Sequence, residues 1–249
     1  MTMMKVVINP NYESLRAFIE DLPVSFVKEG TVVYSGRNLI KRFELDGLTV
    51  NVKCYHKPML INRLAYTFLR PSKANRAYDY ALRLMDLKVA TPAPIAYIEQ
   101  YNGGLLAESY FVSIQVPSTY HTIYEIAKGG LDEYRDVYDA LGKYTADLHK
   151  RGVYHKDYSP GNILYCRKDG EIEFVLIDIN RMRFGHISFH EGCANFARIW
   201  GSEAAFRVIS ASYAEATGNA VDETTDMILR YRSRFWKRYS KRHPVEFEM

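Results

Sequence analysis

The 249-residue sequence predicts an α+β fold in which a small antiparallel β-sheet with one main helix precedes a mostly helical part. Short apolar runs separated by turn residues dominate the first part of the chain. Apolar residues at three- and four-residue intervals dominate the second part, and the change falls near Gln115. We therefore predict two lobes, residues 1–116 and 117–249, with a candidate hinge between them.

In the first lobe, residues 12–21 are predicted to form a short helix that ends at the Leu22-Pro23 pair, because proline interrupts helical hydrogen bonding. Three strands follow, and turn residues separate them. The predicted strands cover residues 30–34, 39–45 and 48–55, with turns at residues 35–38 and at Asp46-Gly47.

A helix is predicted over residues 72–87, with Ser72 as its N-cap. Two further strands, residues 92–100 and 105–116, complete the predicted sheet, with a turn at residues 101–104. The helix has one apolar stripe, which consists of Ala77, Ala81, Leu84 and Met85.

In the second lobe, residues 132–151 have the spacing of an amphipathic helix that Gly152 ends. Two strands are then predicted, residues 163–166 and 172–177. The Asp169-Gly170 pair between these apolar runs is a strong hairpin signal. The apolar stripe of the helix consists of Val137, Leu141, Tyr144 and Leu148.

The loop between this helix and the hairpin carries the main functional motif. His155, Asp157 and Asn162 have the spacing of a kinase catalytic loop, in which the aspartate orients or deprotonates the substrate hydroxyl and the asparagine binds magnesium. The predicted hairpin places Asn162 almost opposite Asp178, and their oxygens suit magnesium. An aspartate near a Pro-Gly pair is also a common turn former, but the surrounding elements favour a catalytic Asp157 with Asn162 and Asp178 as metal ligands.

Candidate nucleotide-binding residues lie in the first lobe. Lys53, on the third predicted strand, is the candidate to contact the α- and β-phosphates of ATP. Asp79 is its candidate acidic partner, and Asp86 is the weaker choice. The alternative interpretation of Asp79 is an ordinary solvent-exposed residue of the helix. Gly36 and Arg37 occupy the place of a glycine-rich phosphate loop, although a plain hairpin turn fits this segment equally well.

The composition favours a globular protein of the cytoplasm. Of the 249 residues, 47% are hydrophobic, and no apolar run is long enough for a signal peptide or a membrane span. Cys54, Cys166 and Cys193 show no metal-binding spacing, which indicates free thiols in a reducing compartment.

A basic tract near the end of the sequence has two interpretations. In a helix, the aromatic stripe beside it either packs on the second lobe and leaves the charges in water, or helps to hold the protein at an anionic membrane or glycolipid phosphate. The predicted stripe is Ile228, Tyr231, Phe235 and Tyr239. The basic residues are Arg230, Arg232, Arg234, Lys237, Arg238, Lys241 and Arg242.

Taken together, the motifs resemble those of the lipopolysaccharide kinase (Kdo/WaaP) family, whose members have a bilobal protein-kinase-like fold and phosphorylate inner-core sugars. The resemblance covers roughly residues 30–185. It implies that Asp157 is catalytic, that Asn162 and Asp178 bind magnesium and that Lys53 binds ATP. The matching segments are Ser35-Gly36-Arg37-Asn38, Val52-Lys53, Ser72-Lys73-Ala74, Thr91-Pro92-Ala93-Pro94-Ile95, the stretch from His155-Lys156-Asp157 to Asn162, and Asp178-Ile179-Asn180-Arg181.

The sequence departs from ordinary protein kinases in ways that bear on the substrate. Asp178-Ile179-Asn180 replaces Asp-Phe-Gly, no Ala-Pro-Glu follows, and Ser159 stands where a lysine is common. These differences favour ATP-dependent phosphorylation of a sugar hydroxyl on a lipopolysaccharide inner-core or lipid A precursor. The expected cofactors are ATP and Mg²⁺, the expected partner is a sugar or glycolipid, and no nucleic acid other than nucleotide is expected. An atypical, RIO-like protein kinase and a nucleotide-binding pseudokinase are the alternatives.

Overall fold

The computed structural model describes residues 2–45 and 47–243, so Asp46 of the predicted Asp46-Gly47 turn lies outside the described residues. The chain divides into two compact units, Met1–Pro117 and Ser118–Met249. The first unit contains a mixed arrangement of strands and helices, and the second is mostly helical. Each unit has its own buried side chains.

The first unit is organised around a six-stranded antiparallel sheet. The last five strands confirm the predicted ones, and β1 was not predicted. Its strands are β1 (Thr2–Ile8), β2 (Thr31–Ser35), β3 (Leu39–Leu45), β4 (Leu48–Tyr55), β5 (Pro94–Asn102) and β6 (Leu105–Ile114). They lie in the order β1-β5-β6-β4-β3-β2.

Helices cover both faces of this sheet. On one face, α1 (Arg16–Lys28) packs Ile19, Leu22 and Phe26 on strand residues that include Val50, Val52 and Cys54. On the other face, α3 (Lys73–Asp86) places Tyr78 against Tyr97 of β5, with ring centroids 5.4 Å apart. Because side chains alternate along β4, Lys53 lies on the α3 face.

The structure corrects two predictions for these helices. The first helix was expected to end at Pro23, but α1 continues through it to Lys28. Proline removes one helical hydrogen bond, and the burial of Leu22 and Phe26 on either side of it favours the continuous helix. In α3, Ser72 is the N-cap as predicted, but Met85 is 43% exposed and is not part of the buried stripe.

A short helix that was not predicted, α2 (Leu60–Phe68), has an inverted amphipathic arrangement. Its polar side faces the protein: Arg63 Nε donates to the carbonyl of Leu106 at 2.8 Å, and Thr67 Oγ1 accepts from the amide of Leu106 at 2.9 Å. Its apolar side chains are 44% to 84% exposed. The exposed residues of this α2 apolar face and its flanks are Met59, Leu60, Ile61, Leu64, Phe68 and Leu69.

A buried lysine connects β3 to the end of α1. Lys41 is 7% exposed, and its Nζ donates to the backbone carbonyls of Phe26 at 2.6 Å and Glu29 at 2.8 Å. The last carbonyl groups of a helix have no partner within the helix and carry partial negative charge. Lys41 therefore provides hydrogen bonds to carbonyl groups at the carboxyl end of α1 and holds that helix on the sheet.

The second unit contains four α-helices and five strands among its described residues. The long helix and the hairpin confirm the predicted ones. The helices are α4 (Leu131–Lys150), α5 (Phe189–Asn195), α6 (Glu203–Thr217) and α7 (Val221–Tyr239). The strands are β7 (His121–Thr122), β8 (Val153–His155), β9 (Ile163–Lys168), β10 (Glu171–Leu176) and β11 (Met182–Phe184).

The packing of α7 differs from the predicted stripe. Ile228 is buried as expected, but Tyr231 and Phe235 are only partly buried and Tyr239 is 38% exposed. The buried face of the helix is instead shifted by about one residue from the predicted stripe. It includes one of the seven basic residues. The buried face consists of Thr224, Thr225, Ile228, Arg232 and Trp236. Arg232 was expected in water, but its guanidinium donates to the carbonyl of Gly201 and lies over Phe206.

A buried histidine links three parts of the second unit. His149 of α4 has its Nδ1 3.0 Å from the hydroxyl of Tyr213 and its Nε2 3.0 Å from Oδ1 of Asn195. The amide of Asn195 in turn donates to the carbonyl of His155 at 3.0 Å. Since an amide oxygen can only accept, His149 donates from Nε2, accepts at Nδ1 and is neutral. Burial lowers its pKa from the usual 6.5 to about 4.

Over the described residues, no helix is both long enough and apolar enough to cross a membrane.

Replacing Lys41 with methionine should lower the free energy of unfolding by about 2 kcal/mol, because two charge-assisted hydrogen bonds to buried carbonyl groups are lost. Urea unfolding followed by circular dichroism measures the change. Arg42→Met is the matched control, since Arg42 is the exposed neighbour on the same strand and its ion pair with Glu44 is at the surface. Equal destabilisation by both variants would contradict the role given to Lys41.

The neutral His149 predicts a pH-dependent stability. Because its pKa is lower in the folded protein, its contribution is complete above pH 6.5 and is lost as the pH falls towards 4. Between pH 7.5 and 5, the stability advantage of wild type over His149→Gln should therefore shrink by about 2 kcal/mol. Urea unfolding across this range measures it. Tyr213→Phe, which keeps the imidazole, should retain the wild-type slope, and an equal slope in His149→Gln would refute the assignment.

Candidate active site

A tight hairpin brings the two candidate metal ligands together. Asp169 and Gly170 connect β9 to β10 with φ angles of 51° and 82°, which are the left-handed values that a two-residue hairpin turn requires. The last strand pair is Ile163 with Leu176. One step further, the amide of Ile177 donates to the carbonyl of Asn162 at 3.0 Å. The predicted juxtaposition of Asn162 with the start of the Asp178 segment is therefore present.

The buried side chain of His155 holds the candidate catalytic loop in place. It is 1% exposed, its Nδ1 accepts from the backbone amide of Asp157 at 3.0 Å, and its Nε2 is 3.1 Å from the carbonyl of Ile177. The first contact makes Nδ1 an acceptor, so Nε2 carries the proton and donates to Ile177. Burial lowers the pKa of His155, in agreement with a neutral ring. This side chain connects the loop of Asp157 to the end of the hairpin.

Asn162 is oriented by its own loop. Its Nδ2 donates to the carbonyl of Asp157 at 2.8 Å, and its backbone amide donates to the carbonyl of Ser159 at 2.9 Å. With the nitrogen end of the amide occupied in this way, Oδ1 is the atom that remains to accept a hydrogen bond or to bind a cation. The side chain is thus prepared to accept rather than donate.

Asp178 has an unusual backbone conformation. Its φ and ψ angles of 52° and 44° lie in the left-handed region, which costs a non-glycine residue about 1 kcal/mol or more. The amide of Asn180, which is buried, donates to Oδ1 of Asp178 at 2.5 Å. Strain of this kind is common where a side chain must be aimed at a ligand, and Asn180 holds the carboxylate in place.

The carboxylate of Asp157 lies among cations. It is 23% exposed, Arg198 donates to its Oδ1, and Nη1 of Arg181 is 3.9 Å from its Oδ2. Both arginines follow the loop in sequence and come from short 3-10 helices, Ile179–Arg181 and Phe196–Arg198. The predicted catalytic residue is therefore accessible and held in a fixed orientation. The side chain of the adjacent Lys156 is exposed, and nothing in the structure explains its identity.

The first unit places two lysines near one aromatic ring. Nζ of Lys53 is 5.4 Å and Nζ of Lys73 is 5.7 Å from the ring centroid of Tyr55. Lys73 was not predicted as a site residue, although it lies in the Ser72-Lys73-Ala74 segment that resembles the family. Two cations over one ring make a local positive region on the α3 face of the sheet.

Asp79, the predicted acidic partner of Lys53, has other charged neighbours. Asp79 is in α3, and the charges that act on it are Lys5 of β1 and Glu99 of β5. Its pKa is raised, first by desolvation, then by the charge of Glu99, while Lys5 opposes the shift. Since β1 and β5 are separated from β4 in the sheet, this position argues against the pairing of Asp79 with Lys53.

The predicted phosphate loop is a tight turn between β2 and β3. Gly36 and Arg37 are exposed, and the amide of Gly36 donates to the carbonyl of Asn38 at 3.1 Å. The ring of Tyr34 lies against Gly36 so closely that a Cβ atom there would meet its hydroxyl at 2.5 Å. A side chain at position 36 would therefore displace the exposed ring of Tyr34, and the contact of this turn with phosphate stays a prediction.

Four supporting residues of the site were missed by sequence reasoning. Asn180 had a usable signal, because an asparagine two residues after an aspartate commonly bonds it within a turn. Arg181 lies in the Asp178-Ile179-Asn180-Arg181 segment that resembles the family, but no role was predicted for it. Asn195 and Arg198 had no signal, because they reach the loop across 40 and 41 residues and no local pattern predicts such contacts.

The donor set suits a hard divalent cation. The amide oxygen of Asn162 and the carboxylate of Asp178 are the oxygen ligands that magnesium prefers, and both are oriented by hydrogen bonds to neighbouring groups. Together with the accessible carboxylate of Asp157, they can accommodate a phosphate-bearing substrate and receive a proton from a hydroxyl group.

Comparisons with known proteins agree with this geometry. Residues 20–199 match the profile of the family described as "Lipopolysaccharide kinase (Kdo/WaaP) family". A "3-deoxy-D-manno-octulosonic acid kinase" of Vibrio parahaemolyticus serotype O3:K6 (strain RIMD 2210633) is 25% identical over 154 residues. The match covers 60% of this chain and 62% of the length of that relative.

A solved structure described as "WaaP in complex with acyl carrier protein" matches with a TM-score of 0.64 and 15% identity, and covers 95% of this chain and 98% of that chain. At this identity the likeness shows the fold, and it confirms the predicted kinase-like fold. The profile match extends over most of the sequence and includes Lys53, Asp157, Asn162 and Asp178. The chain belongs to the lipopolysaccharide kinase (Kdo/WaaP) family.

Proposed function

We propose that this protein is an ATP-dependent phosphotransferase that phosphorylates a sugar hydroxyl on an inner-core or lipid A precursor of lipopolysaccharide. The observation that carries the proposal is the arrangement of Asp157 and Asn162, joined by a hydrogen bond, beside the hairpin strand that ends just before Asp178, in a chain of this family. The related Vibrio protein is named as a kinase of the sugar 3-deoxy-D-manno-octulosonic acid, which supports a sugar acceptor.

In the proposed reaction, Asp157 orients the acceptor hydroxyl and receives its proton. The hydroxyl oxygen forms a bond to the γ-phosphorus of ATP, the bond from that phosphorus to the β–γ bridging oxygen breaks, and ADP leaves. Arg198 and Arg181 keep the carboxylate in position, which is the main contribution that a protein makes to a transfer of this kind.

Asn162 and Asp178 are the residues proposed to hold Mg²⁺. When bound, the ion neutralises charge on the phosphate oxygens. Asn180 and the carbonyl of Asp157 keep the two ligand side chains in their orientations. The first unit is proposed to bind the nucleotide, with Lys53 aligning the α- and β-phosphates and with Lys73 adding positive charge beside it.

Replacing Asp157 with asparagine should lower kcat by about 1,000-fold or more, because the amide keeps the shape of the side chain but cannot receive the proton. The measurement is transfer of labelled phosphate to a fractionated lipopolysaccharide precursor extract. Thermal stabilisation by magnesium-ATP should remain. Asp169→Asn is the matched control, since it makes the same chemical change at an exposed turn of the same unit.

The same assay separates the two alternatives. Strong labelling of protein without any glycan would favour an atypical, RIO-like protein kinase. Failure of every acceptor, together with no thermal shift from magnesium-ATP, would favour a pseudokinase. Turnover retained in Asp157→Asn would refute the catalytic assignment itself.

We further propose that the protein associates with an anionic membrane surface on the cytoplasmic side, where its acceptor is anchored. The support comes from the α2 apolar face rather than from the carboxy-terminal basic tract. Residues 47–78 contain six lysines and arginines and no acidic residue, and Lys57 and Arg70 are exposed on either side of the helix. Exposed apolar groups flanked by cations fit the boundary between anionic headgroups and acyl chains.

Replacing both Ile61 and Phe68 with serine should weaken binding to phosphatidylglycerol vesicles by about tenfold or more, because two apolar side chains no longer enter the interface. Co-sedimentation measures the binding. The control is the double variant Val24→Ser and Val27→Ser, which removes two exposed apolar side chains of α1.

Equal binding by wild type and the α2 variant, or equal losses in both variants, would refute membrane docking through α2. The matching WaaP structure is a complex with acyl carrier protein. Loss of binding to purified acyl carrier protein, with vesicle binding unchanged, would therefore assign the face to a protein partner and would also overturn the membrane proposal.

A further inference from the structure

A groove of about 520 Å³ lies along α7 on its carboxy-terminal half. Residues from the end of α5 and from the following 3-10 helix form its other side, including Ala194 and Ala197. Its volume is within the range of small-molecule sites. The side chains that give the groove its chemical character are Tyr231, Arg234, Phe235, Arg238, Tyr239 and Arg242.

These side chains form two adjacent stripes. Arg234 and Arg238 are four residues apart, which places them on one side of α7, and Arg242 continues the same interval just beyond the end of the helix at Tyr239. Tyr231, Phe235 and Tyr239 recur at the same interval on the neighbouring side, and the rings of Phe235 and Tyr239 are stacked with centroids 5.8 Å apart. The groove therefore combines an apolar aromatic wall with a row of guanidinium groups.

The three guanidinium groups have no carboxylate counterpart within the described ranges, where none of them forms an ion pair. By contrast, Arg198 and Arg207 in the same unit each pair with an acidic residue. Within the described part of the chain, a row of guanidinium groups without a carboxylate partner beside aromatic rings raises the local positive potential and favours an anion.

Arg198 connects this groove to the candidate catalytic residue. Its guanidinium donates to the carboxylate of Asp157 and lies over the ring of Phe235, 5.4 Å from the centroid. The guanidinium group of Arg198 thus lies between the groove and the proposed site of phosphoryl transfer. A ligand lying in it would be adjacent to any acceptor hydroxyl held by Asp157.

We propose that the α7 groove is an acceptor subsite that binds an anionic group, a phosphate or a carboxylate, on a sugar next to the one that is phosphorylated. Arg234, Arg238 and Arg242 bind the anion, because the planar, forked guanidinium group can donate two hydrogen bonds to two oxygens of either a carboxylate or a phosphate. The aromatic side chains contact the apolar face of the sugar ring. This inference rests on the proposed function and adds the charge of the acceptor to it.

The test measures binding by calorimetry without nucleotide, with deacylated lipopolysaccharide-precursor glycan as the ligand. The double variant Arg234→Gln and Arg238→Gln should bind this glycan about tenfold more weakly or worse, because two charge-assisted contacts are lost. The matched control is Arg230→Gln with Lys237→Gln, which removes the same charge from exposed positions on the same helix outside the groove, and it should bind as wild type does.

Two modified glycans identify the anion. Removing the phosphates with hydrofluoric acid should abolish the difference between wild type and the groove variant if phosphate is bound. Reducing the carboxyl groups should abolish it if carboxylate is bound. Because the glycan has no acyl chains, attraction to a membrane cannot produce either result.

Equal weakening in the groove and control variants, or no weakening in either, would overturn the subsite. Transfer kinetics on the same glycan keep this outcome separate from the proposed function. Turnover with an unchanged acceptor KM in the groove variant would refute the subsite and leave the kinase. Selective loss of glycan binding in a protein that transfers no phosphate would support the subsite and refute the kinase.

Discussion

The hydrogen bond from the side chain of Asn162 to the carbonyl of Asp157 is the contact on which the candidate site depends. It joins the two ends of the candidate catalytic loop, so the accessible carboxylate and the candidate metal ligand belong to one rigid segment. The amide of Ile177, bonded to the backbone of Asn162, then attaches this segment to the hairpin that ends at Asp178. These two bonds connect the segments that carry the three functional groups, and the hairpin turn sets the register between Asn162 and the segment of Asp178.

Around this segment, the buried histidines are uncharged and the charged side chains are in contact with solvent. His149 and His155 are buried and neutral, and each uses one nitrogen to donate and the other to accept. They stabilise the loop through hydrogen bonds without placing a charge in the interior of the unit. The cations lie on the outer side, where Arg181 and Arg198 meet Asp157 in the presence of solvent. This separation keeps positive charge on the side from which an anionic substrate would approach.

Much of this site was predictable from the sequence because its parts are local. The Asp169-Gly170 pair specifies the hairpin, and the hairpin determines the position of Asn162 relative to Asp178. The strands of the first unit followed from alternating apolar residues and their turns. What escaped prediction depends on distant contacts: β1 needs β5 as a partner, Arg198 reaches Asp157 across 41 residues, and Pro23 is accepted inside α1 because flanking side chains are buried. The buried face of α7 was misjudged since Arg232 finds a carbonyl partner that periodicity cannot reveal.

The inverted α2 helix also affects how the protein behaves alone in water. Its apolar side chains point outward while Arg63 and Thr67 bind it to the sheet, so the helix cannot bury that face by turning over without losing those hydrogen bonds. Since exposed apolar patches favour association, we expect concentrated solutions of the purified protein to self-associate through α2. Mild detergent should reduce this self-association, because it covers the same apolar face. The tendency of the purified protein to associate therefore follows from the way in which one nine-residue helix is attached to the sheet.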